Sequence, residues 1–236
     1  STVSEIRDGG VNATKPALSQ SQIAASRYFL VSRLADDLAH EIKNPLHALV
    51  INVEVLKRRV ERGATEPALE RVSVIEHEVQ RLNGLVDALL RLVRPEKAEG
   101  PISFGELWSQ IGLLVALRAK QARIDFTEEG LPEDTYIAIT PDVARFALLA
   151  VTEHALALAR AEEQPIRVSG AAHEHEIEIH VWTGACATQS ELAGDFEGAG
   201  LAAQMLEPLG GAVEIQKPGA GKGTTLVVRI PRANYT

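Results

Sequence analysis

The sequence predicts two units in series. The first is an α-helical hairpin that pairs with a second copy into a dimeric four-helix bundle. The second is an α+β sandwich with helices on one face of a mixed sheet. Three observations carry this. Two long stretches, Ser21 to Val60 and about Glu66 to Val93, keep apolar residues three or four apart throughout. A charged run with Pro and Gly, Arg94-Pro95-Glu96-Lys97-Ala98-Glu99-Gly100-Pro101, separates them from the C-terminal half of the chain. In that half, short alternating apolar runs interleave with helical periodicity. The divisions are a polar, disordered lead-in at 1–19, the hairpin at 20–94, a linker at 95–102 and the sandwich at 103–232.

In the first helix the apolar positions are Leu34, Leu38, Ile42, Leu49, Val53, Leu56 and Val60. At roughly 100° per residue they share one sector. Pro45, mid-helix, clashes with the carbonyl of Glu41 and predicts a kink there. Gly63-Ala64-Thr65-Glu66-Pro67 supplies the turn, with Gly63 as the stop and Thr65 as the N-cap. The second helix carries Leu69, Val72, Ile75, Val79, Leu82, Val86, Leu89 and Val93. Two stripes joined by a short loop cannot cover each other fully, and a second copy across a two-fold axis solves this, so a homodimer is expected.

After the linker, Ser103 and Glu106 have capping-box spacing at the start of a helix with Leu107, Ile111, Leu114 and Leu117. Strands are expected at Arg123–Glu128 and Tyr136–Thr140. Thr140-Pro141-Asp142 opens a helix to about Ala161. Further strands are expected at Ile166–Ser169 and Glu176–Trp182, then a short helix at Gly200–Leu209, and strands at Ala212–Gln216 and Thr224–Ile230.

Composition bounds the function. The 236 residues are 45% apolar and 24% charged, ordinary globular material. A net charge of −8 argues against a nucleic-acid partner. The single Cys186 excludes a disulfide framework, fits a reducing, cytoplasmic setting, and reads as a small buried filler. Apolar runs such as Phe146–Val151 fall far short of the roughly 20 residues that span a membrane, and no signal peptide is visible, so no membrane contact is expected within these residues. His173-Glu174-His175 sits in a polar turn with no third ligand in view, so no metal site is expected there.

The chemistry gathers in Leu38-Ala39-His40-Glu41-Ile42-Lys43-Asn44-Pro45-Leu46-His47. His40 lies about 180° from the centre of the apolar sector, with Asn44 and His47 within about 40° of it and Glu41 at the margin. A solvated imidazole keeps a lone pair that can attack phosphorus. Glu41 can take the proton from the other ring nitrogen, and Asn44 can orient a phosphoryl oxygen or a water.

His40-Glu41-Ile42-Lys43-Asn44-Pro45-Leu46 resembles the H-box of sensor histidine kinases, the pattern His-Glu-apolar-basic-Asn/Thr-Pro-Leu. The resemblance implies that His40 is the phosphoacceptor, that Glu41 is its acid/base partner, and that Glu41 and Asn44 fit the Glu-x-x-Asn/Thr pattern used to dephosphorylate response regulators. It implies a response-regulator receiver domain as partner, and agrees with the homodimer. His47 lies outside the pattern and reads as a surface histidine. Ile51, about 20° from His40 around the helix, is an exposed apolar residue that marks a docking surface.

The element order over 103–232 resembles the ATP-binding domain of the same kinases, but with departures. In Leu148-Leu149-Ala150-Val151-Thr152-Glu153-His154-Ala155 the family's Mg²⁺-carrying asparagine is replaced by His154. In Val181-Trp182-Thr183-Gly184-Ala185-Cys186-Ala187 the adenine-binding aspartate is replaced by Trp182 or Thr183, and Gly184 is the one glycine of its pair to remain. The lid, about Ala185 to Glu197, is short and adds Asp195 and Glu197. Gly198-Ala199-Gly200-Leu201 keeps a Gly-x-Gly helix start that reads either as an anion site or as helix packing. Gly221-Lys222-Gly223-Thr224-Thr225 reads either as the last box or as a hairpin turn.

His154, Thr183, Gly184, Gly198, Gly200 and Gly223 are therefore vestigial nucleotide-site positions, and weak or absent ATP binding is expected, with no cofactor. Three functions are compatible with this pattern. The first is a phosphoryl carrier between His40 and a receiver aspartate. The second is an autophosphorylating kinase that uses ATP and Mg²⁺ in a divergent pocket. The third is a non-catalytic partner of another histidine kinase.

Overall fold

The computed structural model describes residues 20–63, 66–93, 101–185, 198–216 and 223–233. The expected lead-in, the Thr65 cap, most of the linker, Cys186, the lid and Lys222 lie outside the described residues.

Helix α1 spans Gln20–Glu61 and continues through Pro45, which is buried. Gly63 then takes a left-handed φ of 73°, the conformation that stops a helix and favours glycine. Helix α2 spans Glu66–Val93 and completes the hairpin.

The apolar stripes divide differently from the sequence expectation. Leu34 and Leu38 are buried, and Ile42, Leu49 and Leu56 are half-buried, but Val53 and Val60 are exposed. On α2, Leu69, Val79 and Val86 are exposed, while Leu85 and Ala88, outside the expected stripe, are buried. The cause is the second unit. A Leu113 methyl lies 3.5 Å from where a Cβ on Gly84 would stand. Leu30, Leu34, Leu38, Leu85 and Ala88 share one continuous apolar core with the α/β half. The N-terminal part of α1 is fastened there too. Arg27 donates to Asp142 at 2.8 Å, and its guanidinium lies 4.2 Å from the Phe146 ring centroid.

The α/β half runs α3 (Phe104–Gln121), β1 (Phe126–Glu129), α4 (Pro141–Glu162), β2 (Ile166–Ala172), β3 (Glu176–Thr183), α5 (Gly198–Leu206) with a 3₁₀ turn at Glu207–Leu209, β4 (Ala212–Gln216) and β5 (Thr224–Pro231). Ser103 caps α3 by accepting from the Glu106 N–H at 3.1 Å. The sheet order is β1-β2-β3-β5-β4, with β1 and β2 parallel and the other neighbours antiparallel. It is the mixed sheet, helices on one face, that the alternation predicted.

Two strand expectations are corrected. Arg123 has a φ of 58° and belongs to the end of α3, where its N–H reaches the Lys120 carbonyl, so β1 starts at Phe126. Tyr136–Thr140 is not a strand but makes two isolated bridges, Tyr136 with Ser103 and Ile137 with Arg232. Its amides divide between partners: Ile137 N–H bonds the Ile102 carbonyl, and Ala138 N–H the Pro231 carbonyl. Each pairing stops after a single bridge, so no ladder forms.

The pleat of β3 decides which side chains face the helices. Ile177, Ile179, Val181 and Thr183 are buried, and Glu178, His180 and Trp182 lie on the outer face. There Arg229 bonds Glu178 at 2.9 Å across the β3–β5 pair and Glu214 at 3.1 Å, while the His180 ring meets Glu178 at 2.7 Å. Burial pushes the Glu178 carboxyl up, but the bonds from Arg229 and His180 outweigh it, so it titrates below 4.5. A carboxylate whose folded pKa is depressed adds stability above its unfolded value and loses it as pH falls through the folded one. Glu178→Gln is therefore expected to lower stability near pH 7 by about 1 kcal/mol or less, the size of a partly exposed pair, with the difference fading as pH falls through the lowered pKa. Thermal melts of both proteins across the acid range read this out. Among the described residues no helix is long and apolar enough to cross a membrane.

Candidate functional site

His40 is exposed on α1, one residue from Glu41, which is half-buried. The helix therefore presents the imidazole outward while the carboxylate turns along the seam. Glu41 accepts from Arg81 of α2 at 3.3 Å and from Gln121 of α3 at 3.4 Å. Both lie at the long end of hydrogen bonding, so the carboxylate is held loosely and can exchange partners. Asn44 and His47 are exposed and, with Lys43, Leu46 and Val50, line a shallow groove of about 480 Å³. Ile51 is 51% exposed.

On its other side His40 borders a cleft of about 500 Å³ between the hairpin and the α/β half, lined also by Arg118 and Gln121 of α3 and by Glu153, Leu156 and Arg160 of α4. Glu153 is 3% exposed and takes a two-pronged ion pair from Arg118, with Nε at 2.9 Å and Nη2 at 3.0 Å. Sequence reasoning missed Arg81, Arg118, Gln121 and Arg160. Arg118 and Arg160 stand in the last turns of α3 and α4, where a basic residue is ordinary complement to the helix dipole. That placement gives no functional signal by itself.

The remaining positions fall at the far edge of β3. Thr183 is fully buried and its hydroxyl accepts from the Ala185 N–H at 3.2 Å, while Thr224 donates to the Ala185 carbonyl at 2.9 Å. Of the two alignments open in sequence, the pleat puts Thr183 on the helix side and Trp182 on the outer face, where Arg167 lies 5.6 Å from its ring. Gly223, at φ 83°, leaves no room for a Cβ against the Thr183 carbonyl, so Thr183, Gly184 and Gly223 are brought together. His154 is buried on α4, one turn before Leu158, which packs on Ala185. Glu153 points instead to Arg118, on another side of the helix. Gly198 is buried at the start of α5, whereas a Cβ on Gly200 would meet nothing within 4 Å, so Gly200 is not a packing glycine.

Residues 30–98 match the model of the His Kinase A (phospho-acceptor) domain. The chain is similar to the C4-dicarboxylate transport sensor protein DctB of Rhizobium meliloti, 26% identical over 234 residues, 92% of this chain and 37% of that protein. Sensor protein CzcS of Cupriavidus metallidurans is 36% identical over 80 residues, 34% of this chain and 16% of that protein. The chain thus spans less than two-fifths of the length of either relative. Among solved structures, the catalytic domain of histidine kinase ThkA superposes with a TM-score of 0.49 at 17% identity, covering 56% of this chain and 96% of that one. Residues 30–98 thus match a phospho-acceptor hairpin of histidine kinase type, and the chain is similar to sensor proteins of two-component signalling over that hairpin and the mixed α/β half that follows it.

Proposed function

We propose that this chain is a dimeric phosphoryl carrier whose His40 exchanges its group with a receiver aspartate, and that its nucleotide site is degenerate. The observation that carries the reading is an exposed H-box histidine joined to an α/β half with Thr183 and His154 where the resemblance expects the adenine and metal ligands. In the forward step a lone pair of the His40 ring attacks the phosphorus of the receiver's acyl phosphate. The N–P bond forms, the P–O bond breaks, and the aspartate leaves with the electron pair. The proton on the other ring nitrogen passes to Glu41, which must first let go of Gln121 or Arg81. Asn44, exposed one turn on, orients a phosphoryl oxygen, or the water in dephosphorylation of the receiver. Reversal charges the receiver. The exposed Ile51, on the His40 side of α1, suits the receiver's docking face. The test is incubation with labelled phospho-receivers. Label on His40 is expected, and no transfer in either direction across a panel of receivers would overturn the reading.

The residues at the nucleotide positions do not suit ATP-Mg²⁺. An imidazole is a softer donor than the hard oxygens that Mg²⁺ prefers. The Thr183 hydroxyl is neutral and already bonded to Ala185. A second reading, an autophosphorylating kinase, is favoured by the names of the relatives, which are sensor kinases. It predicts label from γ-labelled ATP that His40→Ala abolishes.

The dimer is supported by the hairpin's open stripe. Leu46, Val50, Val53 and Val60 are exposed, and at about 100° per residue they fall within roughly 80° of one another. Val79, Val86 and Leu90 form the matching stripe on α2. Val53→Glu places a carboxylate twice in that seam and is expected to weaken the dimer at least about 100-fold. Sedimentation equilibrium reads the change, and an unaltered monomer–dimer constant would remove this stripe from the interface.

A further inference from the structure

We infer that the cleft beside His40 is a receptacle for the phosphoryl group that His40 carries, with Arg160 as its cation and the Glu153-held Arg118 guanidinium in its wall. This rests on the reading of His40 as the phosphoacceptor, and it gives the α/β half a task that needs no nucleotide.

Size and charge carry the argument. The cleft of about 500 Å³ admits a phosphoryl group together with several waters, each of which takes about 30 Å³ in the liquid. Its ionisable lining besides His40 is Arg118, Glu153 and Arg160. Arg118 and Glu153 neutralise each other in a two-pronged pair, leaving the charge of Arg160 uncompensated within the cleft. Among the described residues no hydrogen bond or ion pair ties the Arg160 side chain. The nearby carboxylate of Glu41 is turned to Arg81 and Gln121. A chain of net charge −8 therefore offers its histidine a locally cationic recess, and a phosphoryl group brings about 1.5 to 2 negative charges to it. Arg118 is pre-set as well. The buried Glu153 fixes its fork, so little side-chain freedom is lost on meeting an anion.

The position of the cleft on α4 sets it apart from the nucleotide region. Glu153, Leu156 and Arg160 share one face of the helix. His154 and Leu158, the residue that meets Ala185, lie about 110° or more round from the middle of that face. A phosphoryl group on His40 would thus rest between the last turns of α3 and α4. Exchange with a receiver would require the α/β half to withdraw from His40.

Phosphoramidate tests this without a receiver. It transfers its phosphoryl group to an imidazole, the reagent's P–N bond breaking, the new N–P bond forming, and ammonia leaving. The full chain, Arg160→Ala and Arg160→Lys are phosphorylated in this way and followed by ³¹P NMR. Arg160 is exposed, so neither variant threatens the fold. Loss of the cation is expected to shorten the lifetime of phospho-His40 at neutral pH about fivefold, the scale one exposed ion pair supports. A neighbouring cation favours the dianion, so the phosphoryl resonance should titrate at higher pH in Arg160→Ala than in the unaltered chain. Arg160→Lys should restore most of both effects. Identical lifetimes and identical ³¹P titrations in the unaltered chain and Arg160→Ala would overturn the inference while leaving the carrier reading intact. Label from phosphoramidate with no receiver exchange would overturn the carrier reading, and the ³¹P comparison would still judge the cleft. No label on His40 from either donor would overturn both.

Discussion

His40→Gln is expected to reduce phosphoryl exchange with a cognate receiver to below about 1% of the unaltered chain, because a carboxamide nitrogen has no lone pair available to attack phosphorus. The substitution is favourable for interpretation. His40 is exposed, and no hydrogen bond or ion pair ties its side chain among the described residues. A surface change of this kind moves stability by no more than about 0.5 kcal/mol, so folding and dimerisation should be unaltered. The loss then reports chemistry alone. The same variant should accept no label from phosphoramidate. Acid-labile, base-stable label in the unaltered chain that disappears in His40→Gln identifies an N–P bond at this residue. Equal label in the two proteins would place the phosphoryl group elsewhere, with exposed His47 the next residue to substitute.

Legibility in the sequence depended on whether a feature is local. The hairpin was readable because a period of three to four over some 70 residues is set by each helix's own geometry, and the bounds of α1 and α2 differ from expectation by a residue at most. The His40 face was readable for the same reason. The contents of the cleft were not, because Arg118 lies 35 residues from Glu153 and the two meet only when α3 packs on α4. The burial of Leu85 and Ala88 results likewise from docking of the second unit, which no periodicity within α2 encodes. Tyr136–Thr140 looked like a strand because its composition suits one. Each of its two pairings ends after one bridge because its neighbours diverge, and that is a tertiary fact. The choice between Trp182 and Thr183 needed only the phase of β3, which the alternation at Ile177, Ile179 and Val181 already carried.

Titration with ATP and Mg²⁺ is expected to give a dissociation constant in the millimolar range or no saturation at all. The expected deficit comes from two positions. A neutral hydroxyl in place of a carboxylate forgoes a charge-assisted hydrogen bond worth roughly 1.5–3 kcal/mol, and an imidazole in place of a carboxamide oxygen weakens a hard-cation site by a similar amount. Together these are about 3–6 kcal/mol, or two to four decades, enough to carry a micromolar site to millimolar or beyond. Thr183 gives the first deficit a structural basis. Its hydroxyl already accepts from the Ala185 N–H, and Thr224 holds the Ala185 carbonyl, so this end of β3 is braced from within. Glu153 cannot make good the second. Its carboxylate is buried against Arg118, and drawing it away would leave that guanidinium without its partner at a cost of several kcal/mol. Calorimetric titration of the full chain separates the outcomes. A micromolar constant that depends on Mg²⁺ would return the protein to the autophosphorylating reading, with the nucleotide held by groups other than His154 and Thr183. A millimolar constant alongside normal receiver exchange would leave His40 as a carrier charged from the receiver side.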